Sequence, residues 1–90
     1  MKKRNAIKLN VKDNVAMCIT ELKKGDLIIL SNDEFFEAQS DIPFAHKVSI
    51  QDIKKNGDVI KYGYSIGKAM SDIAKGQWLH VHNIQGGKRL

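Results

Sequence analysis

Apolar and polar residues alternate along much of this chain. Ile7, Leu9 and Val11 are separated by Lys8 and Asn10, and Lys12 follows them. Val15, Met17 and Ile19 continue the same spacing, as do Val48 with Ile50 and Leu79 with Val81. Leu27 to Leu30 is a short unbroken apolar run. A spacing of two puts such residues on one face of a strand. Glycines and Asn/Asp clusters interrupt the runs at short intervals, which favours tight turns between strands. No long stretch carries the period of a helix. The pattern predicts an all-β domain of short strands with a few turn-like helical segments.

A weak internal repeat punctuates the strands. Glu21-Leu22-Lys23-Lys24-Gly25-Asp26 resembles Asp52-Ile53-Lys54-Lys55-Asn56-Gly57-Asp58 and Asp72-Ile73-Ala74-Lys75-Gly76-Gln77. Each joins an acidic residue, an aliphatic plug and a lysine-containing turn with glycine; the middle copy reads as one residue longer, through Asn56. Ser31 to Phe44 is the least regular segment and reads as a connecting loop, with a short helical turn over Glu34 to Gln39. Phe35 or Phe36 is expected in the core. Lys61 to Gly67 reads as a hairpin turn between strands. Gln85 to Leu90, with Gly86 and Gly87, reads as a flexible tail.

Ninety residues fit one domain, spanning 1–90, with a modest core and no room for a large catalytic cleft. A role as a subunit or appended module fits that size. No apolar run reaches the ~18 residues of a membrane span, and the basic start at Lys2, Lys3 and Arg4 is not followed by a signal-like apolar stretch. The expected location is cytoplasmic, with no membrane contact. The net charge of +5 raises the question of nucleic acid. The lysines are scattered and few aromatics interleave with them, so no nucleic-acid partner is expected. The charge equally suits an anionic small substrate or an acidic partner. The one cysteine, Cys18, lies between Met17 and Ile19 and reads as a buried thiol.

The three histidines fall in two motifs. His46 follows Asp41-Ile42-Pro43-Phe44-Ala45, and His80 and His82 flank Val81. On a strand, Leu79 and Val81 share the core face, so His80 and His82 point together to the other side. His-x-His on a strand offers two nitrogens to one metal, or two solvated imidazoles; spacing leaves both open. His46 joins them only if the fold brings its loop to that strand. Lys47 is one more solvated lysine or a point charge for a carboxylate.

Taken in order, Asp41-Ile42-Pro43-Phe44-Ala45-His46-Lys47-Val48, Val59-Ile60-Lys61-Tyr62-Gly63, Ile66-Gly67, Asp72-Ile73, Gly76 and His80-Val81-His82-Asn83 resemble the SAF-type N-terminal domain of the altronate and galactarate dehydratase family. The resemblance implies a β-clip fold. It implies a small subunit of a hydro-lyase that removes water from a sugar acid to give a 2-keto-3-deoxy acid. It implies a large dehydratase subunit as partner and a divalent metal, iron(II) or manganese, held mainly by that partner. By motif match His46, His80 and His82 are the catalytic candidates, His80 and His82 the metal candidates, and Lys47 and Asn83 the substrate-binding candidates. The small subunit of sulfolactate sulfo-lyase and a non-catalytic carbohydrate-binding SAF module are the alternatives.

Overall fold

The structure, a computed structural model, describes residues 3–31, 33–79 and 83–85. These residues form nine short strands and no helix: β1 (Ala6–Ile7), β2 (Val15–Cys18), β3 (Leu27–Ile29), β4 (Phe35–Glu37), β5 (Lys47–Ser49), β6 (Asp58–Lys61), β7 (Tyr64–Ala69), β8 (Trp78–Leu79) and β9 (Ile84–Gln85). The all-β expectation is met, in an arrangement consistent with a SAF-like β-clip.

Strands β1, β2, β5 and β8 make an antiparallel sheet in that order, while β3 pairs with β4 and β7 lies between β6 and β9. Both faces of the four-stranded sheet are buried. Ala16 packs with Cys18, Leu22, Ile28, Ile42 and Val48 in one core, whereas its neighbour Val15 packs with Ile53, Val59, Ile73 and Leu79 in another. Consecutive side chains leave a strand on opposite sides, so these cores flank the sheet. The β3–β4 hairpin covers the first face and the β6–β7–β9 sheet the second. Two-sided burial explains why β2 reads Val-Ala-Met-Cys, almost wholly apolar.

The two covering layers are copies of one design. Leu22 bridges to Ile42, and Ile53 bridges to Ile73, a constant offset of 31 residues. Each bridge is closed by two backbone hydrogen bonds, at 2.9 and 2.8 Å in the first and 2.8 and 2.7 Å in the second. The same offset carries Ile28 to Val59, Ala38 to Ala69 and Val48 to Leu79, each in the matching place of its core. Asn5 and Asn14 serve the copies alike. The Asn5 Nδ2 donates to the Leu27 carbonyl at 2.9 Å, and its Oδ1 accepts from the Ile29 N–H at 2.7 Å. Asn14 repeats this with Asp58 and Ile60 at 2.8 and 2.7 Å. A side-chain amide offers the donor and acceptor of a peptide, so each asparagine extends a strand edge by one pairing.

Four turns hold the copies together, where the sequence pattern suggests three. They are Glu21–Asp26, Asp41–His46, Asp52–Gly57 and Asp72–Gln77, and each bends through a left-handed fifth residue: Gly25 (φ 95°), Ala45 (φ 67°), Asn56 (φ 69°) and Gly76 (φ 90°). Asn56 is therefore no insertion. It takes the glycine position, which asparagine tolerates. The turns brace one another in pairs: the carboxylates of Asp41, Asp72 and Asp52 accept from the backbone N–H groups of Lys24, Lys55 and Lys75 at 2.9, 2.8 and 2.9 Å.

Two further expectations change. Residues 34–39 are not a helical turn, because Phe35–Glu37 is strand β4, paired with β3 through Ile28 opposite Phe36. Phe36 and Ala38 face the first core while Phe35 stays about half exposed, at 51%. Gln85, read as the start of a tail, belongs to β9 opposite Lys68; residues 86–90 lie outside the described residues. The hairpin expected at Lys61 to Gly67 is present, with Tyr62 and Gly63 both at positive φ (57° and 80°) between β6 and β7.

Gly76 is the least replaceable of the turn residues. A Cβ there would collide with the Glu37 carbonyl oxygen, whereas at Gly25 the nearest atom is a flexible Glu37 carboxylate oxygen at 3.8 Å. Gly25→Ala is expected to cost about 1 kcal/mol for its backbone angle alone, and Gly76→Ala about 3 kcal/mol or more. Urea unfolding of both variants checks this; equal losses would show that the contact with Glu37 yields freely.

Candidate functional site

His46 is placed by a turn and a ladder. It is the sixth residue of the second turn, directly after the left-handed Ala45 and directly before β5. Strand β5 pairs with β8 through Lys47 opposite Leu79 and Val48 opposite Trp78. That register sets the half-buried imidazole against the Trp78 ring, with centroids 5.6 Å apart in an edge-on arrangement. The Trp78 indole N–H donates to His46 Nδ1 at 3.2 Å. Trp78 is itself anchored: its backbone N–H donates to Ser40 Oγ at 3.0 Å, and its ring packs on the first core.

Lys47 leaves the sheet on the opposite side. Its partner across β8 is Leu79, a residue of the second core, whereas Val48 belongs to the first. Half-burial of the ammonium, and then the positive charge of Lys61 on β6, hold its pKa below the usual 10.5. The structure thus gives His46 and Lys47 adjacent backbone positions but different faces. Beside Lys61, exposed Tyr62 and Tyr64 line a shallow open depression with Ser65, and the Lys61 ammonium lies 4.9 Å from the Tyr62 ring centre. This basic, aromatic rim was not singled out by sequence, since only the β6–β7 hairpin assembles it.

Asn83 is buried, at 5% exposure, and its Nδ2 donates to the Trp78 carbonyl at 2.9 Å. It ties the start of β9 back to β8, and so back to the Trp78–His46 pair. His80 and His82, the paired imidazoles of the sequence reading, lie outside the described residues. Among the described residues no three His, Cys, Asp or Glu side chains gather to hold a metal ion. His46 Nδ1 is moreover turned to an N–H donor rather than left as a ligand. The metal candidates named from the sequence, His80 and His82, lie outside the described residues, and the described ones alone do not make a site for the divalent metal.

The repeat shows which positions the fold leaves open to choice. Where β2 has Val15-Ala16, the same place one repeat later holds His46-Lys47, and one later still Gln77-Trp78. The backbone accepts apolar residues there, so an imidazole and an ammonium are not required by packing. Trp78 as the partner of His46 was missed from sequence, because nothing in the spacing pairs β5 with β8.

A family model for the altronate/galactarate dehydratase SAF domain matches residues 4–87. The chain is 36% identical over 82 residues to altronate dehydratase of Bacillus subtilis (strain 168), covering 91% of this chain and 16% of that protein. It is 39% identical over 79 residues to altronate dehydratase of Escherichia coli (strain K12), again 16% of that protein. It is 38% identical over 60 residues to the (2R)-sulfolactate sulfo-lyase subunit alpha of Paracoccus pantotrophus, 66% of this chain and 90% of that subunit. The chain thus spans about a sixth of the altronate dehydratases it matches.

Two predictions follow from the burial of these groups. Cys18 is fully buried and desolvation pushes its thiol up to about 11. About one thiol in a thousand is ionised at pH 8, so a thiol reagent should modify Cys18 only as fast as the chain opens. Rapid labelling of the folded chain would contradict a sealed core. For Lys47, a lysine whose pKa falls on folding opposes folding while protonated, and that opposition fades as pH rises toward 10.5. Lys47→Met should therefore melt a few degrees above the parent at about pH 7, with the gap closing near pH 10. A variant that melts below the parent at neutral pH would show that the ammonium's contacts outweigh its desolvation.

Proposed function

The chain belongs to the altronate/galactarate dehydratase SAF domain family, and from that premise we propose that it is the small subunit of a sugar-acid dehydratase. In this reading a large dehydratase subunit encloses the substrate, and this domain supplies imidazoles to one wall of the site. The reaction removes water from an aldonic or aldaric acid and yields a 2-keto-3-deoxy acid. The observation that carries the proposal is His46. It stands at a position that the repeat fills with Val15 in one copy and Gln77 in another, and it is held against Trp78 by a hydrogen bond.

Each group has a role the geometry can serve. The carbon-bound proton beside a carboxylate is weakly acidic and the departing hydroxyl needs a proton or a hydrogen bond, both of which suit imidazole near neutral pH. In this proposal His46 faces an oxygen of the acid, and His80 and His82 are the further candidates that the motif match names. Lys47 and Lys61 add positive potential that draws an anionic substrate toward the domain. Asn83 ties the start of β9 to the Trp78 carbonyl and so steadies the residue that holds His46. The divalent metal, iron(II) or manganese, is assigned to the large subunit, where it would stabilise the charge that develops on the carboxylate.

A second reading has its own support in the match to sulfolactate sulfo-lyase subunit alpha, which covers most of that subunit. The elimination is analogous, with sulfite leaving in place of water.

Co-expression with the large subunit, under anaerobic iron(II) or manganese, separates the readings. Altronate, galactarate and sulfolactate are offered in parallel to the parent and to His46→Ala, His80→Ala and His82→Ala. A keto acid from one hydroxy acid is expected, with kcat/KM lowered about 100-fold or more in each variant. Sulfite release would move the chain to the sulfo-lyases. Undiminished turnover in all three variants would remove the histidines from the site.

A further inference from the structure

We propose that Trp78 is a positioning residue that fixes the tautomer of His46, and with it the part His46 plays: hydrogen-bond donor through Nε2 to an oxygen of the sugar acid. The inference rests on the dehydratase reading for its substrate, but its first test does not.

An indole nitrogen has one hydrogen to offer. Trp Nε1 is a donor and never an acceptor, while a neutral imidazole has one donor nitrogen and one acceptor. Trp78 Nε1–H points at His46 Nδ1 at 3.2 Å, so Nδ1 carries the lone pair and the ring proton resides on Nε2. A histidine in that form presents N–H, not a lone pair, on its far side. It can polarise a carboxylate or hydroxyl oxygen there, but it cannot take a proton or bind a metal through Nε2 without first changing tautomer and breaking the bond to Trp78.

The indole is held well enough to impose this choice. Its ring lies edge-on to the imidazole at 5.6 Å and packs on the first core. Its backbone is fixed on both sides, by Ser40 Oγ at the N–H and by Asn83 Nδ2 at the carbonyl. The β5–β8 register, Val48 opposite Trp78, sets the distance between the rings. Trp78 therefore acts on the substrate only through His46. The base that removes the carbon-bound proton is, on this assignment, another group.

The full chain labelled with nitrogen-15 gives the first test, by long-range proton–nitrogen correlation of the imidazole. His46 is expected as the Nε2–H tautomer at a pH where it is neutral, and Trp78→Phe, which keeps an aromatic ring on the core, should shift it toward Nδ1–H. An Nδ1–H ring in the parent, or an unchanged ring in Trp78→Phe, overturns the proposal. The second test uses the assembled enzyme. Glutamine places an amide N–H near the Nε2 position, so His46→Gln should retain at least about tenfold more kcat than His46→Ala, and Trp78→Phe should lower kcat about 10–100-fold with KM within about threefold. Equal loss in His46→Gln and His46→Ala would mean a base or a ligand and would sink the donor role. An enzyme silent on every hydroxy acid would refute the dehydratase reading, and the tautomer spectrum would still decide what Trp78 does.

Discussion

The fold depends on turns that bend through a left-handed residue and then lock in pairs. In each pair an aliphatic residue, Leu22 with Ile42 or Ile53 with Ile73, forms a two-bond bridge and plugs a core. The carboxylate at the head of one turn then satisfies a backbone N–H of the other. Such a clamp does by local geometry what a chain of this size cannot do by core volume alone. It also removes the need for long strands. Two- to six-residue strands suffice because their ends are pinned.

Repetition of the clamp shapes the interior. Copies 31 residues apart land on opposite faces of one sheet, since successive side chains of β2 and β5 belong to different cores. The result is a thin domain with two small cores, and its stability is spread along the sheet. Such an arrangement leaves the repeat-equivalent positions of β2, β5 and β8 free to differ. His46-Lys47 and Gln77-Trp78 use that freedom, and the contact between His46 and Trp78 arises where β5 and β8 meet. The His46–Trp78 pair thus occupies positions that the scaffold does not need, next to positions that it does.

Much of this was legible in the residues. Period-two spacing marked β2, β5 and β8, an unbroken apolar run marked β3, and the motif order from Asp41 to Asn83 pointed to the right family, as the match over residues 4–87 shows. The misses have physical causes. Strand β4 was hidden because Phe36 and Ala38 alternate among Asp, Glu and Gln, residues that read as loop until β3 supplies a partner. The second turn was hidden because Phe44 and Ala45 stand where the other copies have a lysine and then a glycine or asparagine; a left-handed alanine is tolerated here because flanking hydrogen bonds, Ala45 N–H to the Cys18 carbonyl and His46 N–H to the Pro43 carbonyl, hold the bend. Asn56 reads as an insertion beside Gly57 until its positive φ of 69° places it, and not Gly57, at the left-handed position.

The sequence by itself determined the class of structure, the aliphatic plugs and the candidate imidazoles, because these follow from side-chain chemistry and from spacing within a single segment. Only the tertiary structure decided what those residues meet. Strand pairing joins segments about 30 residues apart, as Lys47 with Leu79, and a pairing partner leaves no mark in local spacing. From that pairing come the indole on His46 and the opposite face taken by Lys47, where burial, and then the charge of Lys61, lowers its pKa. Asn83, which as a residue type suited a substrate hydroxyl, is engaged with a backbone carbonyl five residues away. Its partner was settled by the pairing of β8 with β5 and of β9 with β7, which no local pattern encodes.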